Sequence, residues 1–412
     1  NTGTVIIKRG TVDSINSSYG SSYGIYNYST GNIIIGIKGD GLVSQEEPII
    51  KARRTSSSAN YVGYGIYNPN GTLYYYDGKI QGTNKAISGN ITEIEDSTEI
   101  NLTEETADSK VYKTMTLGQV TTNVAKINGT EYSSIQKAVE ICGETESTIE
   151  ILRDANPGAT IIVKENQNIT IDLKGHTINN YTELQNKGTL KIIDTSTEQT
   201  GKIIGLTGTA ISNTGTLELQ GGTIADSGYG IKNTGTVTLN GAAITNNTYG
   251  IYNDAKGIIN IEKGTITANQ YGLYNYESTS TTNIQEGTIT SNEYGSYNYN
   301  GTTNISSKGI ADNTYGVYVA SGTTTIKEGT EIQSETGAYA AGGTLNIGES
   351  GTMNPDTPII IGETYGLTVA STGMVYMYDG QVKGKEGATE GYITYTEEGY
   401  TVANKTEGEY KI

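Results

Sequence analysis

The sequence predicts an all-β fold, a right-handed parallel β-helix with three short strands in each coil of 20 to 23 residues. Three observations carry that expectation. The stretch from Asn213 to Val319 repeats itself, as in NTGTLELQGGTIADSGYGIK followed by NTGTVTLNGAAITNNTYGIY. One position tracks the period through Glu218, Thr238, Asn260, Asn283, Asn304, Thr325 and Asn346. Within each unit, apolar and polar residues alternate with period 2, and Gly or Asn punctuates the chain between runs. A unit this small and glycine-rich cannot bury a core alone, so it must stack on its neighbours.

The elements of one unit follow from its residues. Leu217-Glu218-Leu219 alternates apolar, polar, apolar and ends at Gly221-Gly222. Thr223-Ile224 opens a second strand, and Tyr229 to Asn233 forms a third that ends in an asparagine turn signal. Coils stacked at the inter-strand spacing of about 4.8 Å would make the seven indexed units a rod on the order of 30 Å long. Shorter hexapeptide repeats would indicate a left-handed solenoid, and the chain contains none.

In chain order, Asn1 to Val12 matches Asn213 to Ile224, so the sequence starts in mid-solenoid. Tyr23-Gly24-Ile25-Tyr26-Asn27 recurs as Tyr64-Gly65-Ile66-Tyr67-Asn68, 41 residues on. That interval reads as two coils. Tyr74 to Gly82 then resembles Tyr376 to Gly384, so one solenoid ending occurs twice. The expected organisation is the tail of a first module over 1–118 and a second module over 119–412. The second divides into a cap at 126–160, coils at 161–384 and a closing segment at 385–412. Residues 103–125 are polar, acidic and threonine-rich, and read as a closing segment or linker. In the cap, Ile135, Ala138, Val139 and Cys142 fall at i, i+3, i+4 and i+7 on one helical face. Ser133 or Ser134 caps this helix, and Gly143 ends it.

Glu131 to Val139, Thr148 to Asp154 and Asn168 to Ile178 resemble the opening of right-handed β-helix modules in large surface proteins of Gram-positive bacteria. Those modules share the solenoid fold of the pectate lyases. The resemblance covers most of residues 126–412. It implies an extracellular, cell-surface protein with an adhesive or structural role.

Composition narrows the functions. Tyrosine occurs 32 times while Phe and Trp are absent. A formal charge of −17 with four arginines lacks the basic footprint of a nucleic-acid binder and is wrong for anionic membrane surfaces. The apolar runs are too short for membrane insertion. A single cysteine excludes an intrachain disulfide and a CxxC metal pair. No cofactor or metal site is expected.

The same fold serves polysaccharide lyases and glycoside hydrolases, and each chemistry has its own residue requirement. A lyase base is commonly arginine, and none follows Arg153. A hydrolase needs two carboxylates at a set separation. Glu218, Glu262, Glu286 and Glu328 lie on or beside the outer edge of the first strand, with Lys263 and Lys327 among them, as a mixed solvated edge would have. Gly20-Ser21-Ser22-Tyr23-Gly24 matches GxSxG, but that motif requires a strand-turn-helix context with a histidine and an acid. The one histidine, His176, belongs to the other module and reads as a packed corner residue. Cys142 reads as a small buried hydrophobe. The expectation is therefore no enzyme.

The remaining candidates are ladders. Tyr26, Tyr67, Tyr252, Tyr274, Tyr297 and Tyr318 share one coil position, taken in one coil by Lys232. Alternation places them outward, where stacked rings either support the sheet or serve as a binding column for a surface glycan or host protein. Tyr229, Tyr249, Tyr271, Tyr294, Tyr315 and Tyr365 have inward parity, but the glycine after each can take φ > 0 and break the count. Asn213, Asn233, Asn253, Asn275 and Asn298 share a corner, where asparagines can hydrogen-bond along the stack. The expected function is an extracellular structural or adhesive solenoid, a section of a tandem array or filament that self-associates head to tail. The alternative is a polysaccharide-binding or polysaccharide-cleaving β-helix protein.

Overall fold

A computed structural model describes residues 3–16, 20–39, 47–54, 61–95, 98–120, 122–180, 182–206, 208–351, 354–397 and 406–412. Asn1 and Thr2, and residues 398–405 of the expected closing segment, lie outside the described residues.

The chain is all-β and winds into a parallel β-solenoid of about 15 coils. One coil shows the plan. Thr216–Leu219 lies on a first face, Thr223–Ala225 on a second and Tyr229–Asn233 on a third. Each strand pairs in parallel with the same strand of the next coil: Leu217 with Val237, Ile224 with Ile244, and Ile231 with Ile251. The indexed residues from Glu218 to Asn346 are successive partners in this register.

Burial follows the alternation that the sequence shows. Leu217, Leu219, Ile224 and Ile231 point inward and are fully or almost fully buried, as are their counterparts up and down the stack. The inner column of the first face changes character below Ile259, where Thr282, Thr303 and Thr324 replace aliphatic residues and remain buried. Buried apolar side chains fall into two clusters, one from Ile33 to Leu117 and one from Val124 to Val382.

Several expectations need correction. Tyr23, Ile25 and Tyr26 pair directly with Tyr64, Ile66 and Tyr67, so the 41 residues between these motifs make one coil, not two. The extra length lies between strands Asn32–Ile35 and Ile49–Arg54, and between the latter and Gly63–Asn68. Coils of the second stack are not uniform either. Asn186 and Asn213, bonded neighbours, are 27 residues apart, and Glu335 and Thr364 are 29 apart. Insertions at corners lengthen a coil without moving the strands, because loop closure costs little per added residue.

Of the two readings of residues 103–125, closing segment or linker, the chain up to Gln119 takes the first. Strands Thr98–Ala107 and Lys110–Gln119 form a hairpin, and the second pairs antiparallel with Lys79–Gly82. Its inner residues Ile100, Met115 and Leu117 are fully buried. The repeated ending has the same device: Lys411 pairs antiparallel with Gly384 as Lys113 does with Gly82.

Helix α1 (Ile135–Glu140) starts at Ser134, whose Oγ accepts from the Lys137 N–H. It buries Ile135, Ala138 and Val139, with Cys142 buried just beyond. The helix closes at Ile141, two residues before Gly143. Shortly before the first parallel strand of the second stack, α1 lies near the end of the hairpin. There the Ile100 N–H donates to the Asn156 carbonyl, and Arg153 pairs with Glu99 at 3.1 Å.

Candidate functional site

The third face carries the candidate residues. Its strands read Tyr-Gly-Ile-Tyr-Asn or a close variant, and alternation is broken in the middle. In Tyr249–Asn253, Gly250 and Ile251 are both buried, while Tyr249 and Tyr252 both lie half-buried on the outer side. The direction left open for the first tyrosine of each pair is therefore outward. The glycines following Tyr229, Tyr249, Tyr271, Tyr294 and Tyr315 do not take positive φ. They serve close approach instead: a methyl on Gly250 would come 2.5 Å from the Gly272 carbonyl oxygen, and one on Gly272 would come 2.7 Å from that of Gly295.

Two files of tyrosine rings result. Tyr252, Tyr274, Tyr297 and Tyr318, all singled out by the sequence, stack in order and continue to Tyr339. Successive centroids lie 5.3, 4.9, 4.8 and 4.9 Å apart, with ring planes within 7° of parallel. The second file, Tyr229, Tyr249, Tyr271, Tyr294 and Tyr315, stacks at 4.9 to 5.1 Å. The files stand nearly perpendicular to each other, as in Tyr271 against Tyr274 at 5.1 Å and 89°. Parallel stacking within files and edge-to-face contact between them suit the ring quadrupole, at about 0.5–1.5 kcal/mol per pair. Tyr276 and Tyr299 add a short third row, 5.3 Å apart. Tyr365 begins the equivalent strand two coils below Tyr315 and lies outside these ring contacts.

Tyr26 and Tyr67 belong to the other stack. They stack on each other at 5.1 Å, with Tyr23 and Tyr64 against them, and Tyr26 is 55% exposed. The six predicted tyrosines therefore form two separate groups at the same coil position.

Stacking decides what the files can offer. In the interior of a file each ring face is covered by the ring of the neighbouring coil, which leaves ring edges and hydroxyls to the outside. Burial and then neighbouring tyrosines push the phenol of Tyr297 up to about 12. Burial, then Glu293, does the same to Tyr294. Tyr252 and Tyr274 are also raised, by burial first, then by Asp254 and Tyr297 respectively. These phenols keep their protons at neutral pH.

Asparagine ladders stand behind the rings. Asn186, Asn213, Asn233, Asn253 and Asn275 are buried, and each Nδ2 donates to the next Oδ1 at 2.7 to 3.0 Å. Beyond Asn275 the donors turn to threonine, with Asn298 Nδ2 donating to Thr324 Oγ1 at 3.1 Å. A second ladder went unread in the sequence. Asn247, Asn269, Asn292 and Asn313 are buried at the corner before the third face and are linked at 3.0 to 3.1 Å. The recurring Asn-x-Tyr-Gly of these four coils is the signal that could have revealed it. Each is preceded by a residue in the left-handed region, namely Asn246, Ala268, Ser291 and Asp312. Such a corner leaves amide and carbonyl groups that the asparagines satisfy.

The other candidates are scattered. Ser22 is buried within a strand, and its Oγ bonds to the Ser14 carbonyl, far from any strand-to-helix turn. His176 sits at a corner after Lys174 and Gly175, with Nδ1 3.6 Å from Asp154. Glu262, Glu286 and Glu328 are exposed, and Lys327 pairs with Glu349 rather than Glu328. Among the described residues no cluster of three or more His, Cys, Asp or Glu side chains could hold a metal ion. No helix among them is long and apolar enough to cross a membrane.

No protein-family model, curated protein or solved structure matches the chain.

Proposed function

We propose that this chain is a non-catalytic structural or adhesive element, a section of a right-handed solenoid rod exposed at a cell surface. Its supporting observation is the continuous coil-on-coil pairing from Asn168 to Gly384, with one register irregularity around Asn240 and side chains of one type laddered at successive levels. Such a stack spends its polar side chains on neighbouring coils, which suits stiffness rather than a reaction centre. Electron microscopy of native material tests this. Long rods with a regular axial repeat are expected, and compact single particles would contradict it.

A second reading, polysaccharide binding, draws on rings more open than those inside the files. Tyr28 is 65% exposed and Tyr392 is 90% exposed. Titration with soluble polysaccharides, with Tyr392→Ala as control, measures it. Cleavage products in the same assay would reopen the hydrolase alternative.

A further inference from the structure

The absence of Phe from a chain with 32 tyrosines has no explanation in packing alone. Stacked and edge-to-face contacts need only rings, and a half-buried ring file would form equally well with phenylalanine at many of its levels. The hydroxyl is nevertheless present at every level where a ring occurs. It makes each ring oxidisable by one electron, and the fold then places such rings in contact through five successive coils. Competing sinks are few: there is no Trp, and the single Cys142 is buried.

We propose that the tyrosine files are a site of oxidative cross-linking, at which a haem peroxidase with hydrogen peroxide joins rings of adjacent coils by carbon–carbon bonds. Each of two phenols loses one electron and its hydroxyl proton to give a phenoxyl radical. The carbons ortho to the two oxygens then form a bond. The two ring hydrogens at those carbons are lost as the rings regain aromaticity, and the oxygens are reprotonated from solvent. The net loss of two electrons and two protons reduces one peroxide to two waters. Tyr299, 45% exposed, is an entry point, since it lies 5.3 Å from Tyr276 and 6.2 Å from Tyr274 in the file. A bond between neighbouring coils would staple the rod along its axis, which extends the scaffold reading but does not depend on it.

The test treats the dilute, purified full chain with a haem peroxidase and hydrogen peroxide, then isolates the monomeric fraction. Dityrosine fluorescence is expected there, with a mass loss of two hydrogens per link. Digestion should map links to coil neighbours such as Tyr274–Tyr297 and Tyr297–Tyr318. The combined Tyr274→Phe, Tyr297→Phe and Tyr318→Phe variant keeps the rings and should lose those links. If that variant does not fold, the mapping on the unaltered chain decides alone. A monomer with no mass loss would overturn the proposal. So would links found only between molecules, through open rings such as Tyr28 and Tyr392.

Discussion

The two stacks of coils use one plan under different constraints. In the second, most coils are 20 to 23 residues long, and every level from Asn186 to Asn275 passes an asparagine hydrogen bond to the next. In the first, one coil is 41 residues long and the next is 21, yet Asn27 still donates to Asn68 Oδ1 at 2.7 Å. Tyr26 still meets Tyr67. Register is thus held by what faces the neighbouring coil, not by coil length. The first stack closes on a hairpin that is antiparallel to its last coil.

The largest expected effect comes from the ladder that both stacks share. Asn253 Nδ2 supplies Asn275 Oδ1, the Gly257 carbonyl and the Thr281 carbonyl, all within the buried corner. Asn253→Ala would strand these acceptors and should cost on the order of 3 kcal/mol in guanidinium unfolding. Asn68→Ala removes the donor to Gly71 and the Oδ1 that accepts from Asn27, but leaves Asn27 bonded to Gly31, so about 1–2 kcal/mol is expected. Equal costs would break the comparison.

Acid should act first on the opening coils of the second stack. Asp172 and Asp194 are buried, which alone would raise their carboxyls. Hydrogen bonds from Thr195 and Lys174 to the first, and from Ser196, Gly201 and Gly175 to the second, hold both below the usual range. Their unfolded values lie near about 3.9. The stability they contribute is complete above that pH and is lost as pH falls through the depressed folded values. Hydrogen exchange at falling pH should show residues 168–205 opening before the coils from Thr216 onward, and Asp194→Asn should reduce this acid dependence.

Alkali has the opposite sign. Phenols of Tyr294 and Tyr297 titrate near about 12 in the fold, and near about 10 when unfolded. Stability therefore falls as pH rises between those values, and the tyrosinate absorbance of the files should appear late. Tyr297→Phe is expected to be the mildest change, within about 0.5 kcal/mol, because the ring contacts persist.

The sequence showed the solenoid where spacing was regular, because a partner column such as Glu218 to Asn346 repeats at nearly fixed intervals. It misled at Tyr23 and Tyr64, where added residues doubled the interval without moving the strands. It also left Tyr229 and its counterparts undirected. Two successive inward residues, Gly230 and Ile231, reset the alternation, and strand parity alone cannot count through them. The buried threonines at 282, 303 and 324 were equally hard to foresee, since nothing in a Thr-Thr-Asn or Thr-Thr-Thr run marks its middle residue as interior.

Engineered disulfides test the central claim that register outlasts coil length. Parallel partners lie about 4.8 Å apart, inside the range a disulfide spans. Thr238→Cys with Asn260→Cys joins direct partners in the regular stack, and Tyr26→Cys with Tyr67→Cys joins direct partners across the long coil. Oxidation should close both pairs within one molecule, with buried Cys142 left free. If the first pair closes and the second does not, the 41 residues hold an extra coil, and the account of the first stack is wrong.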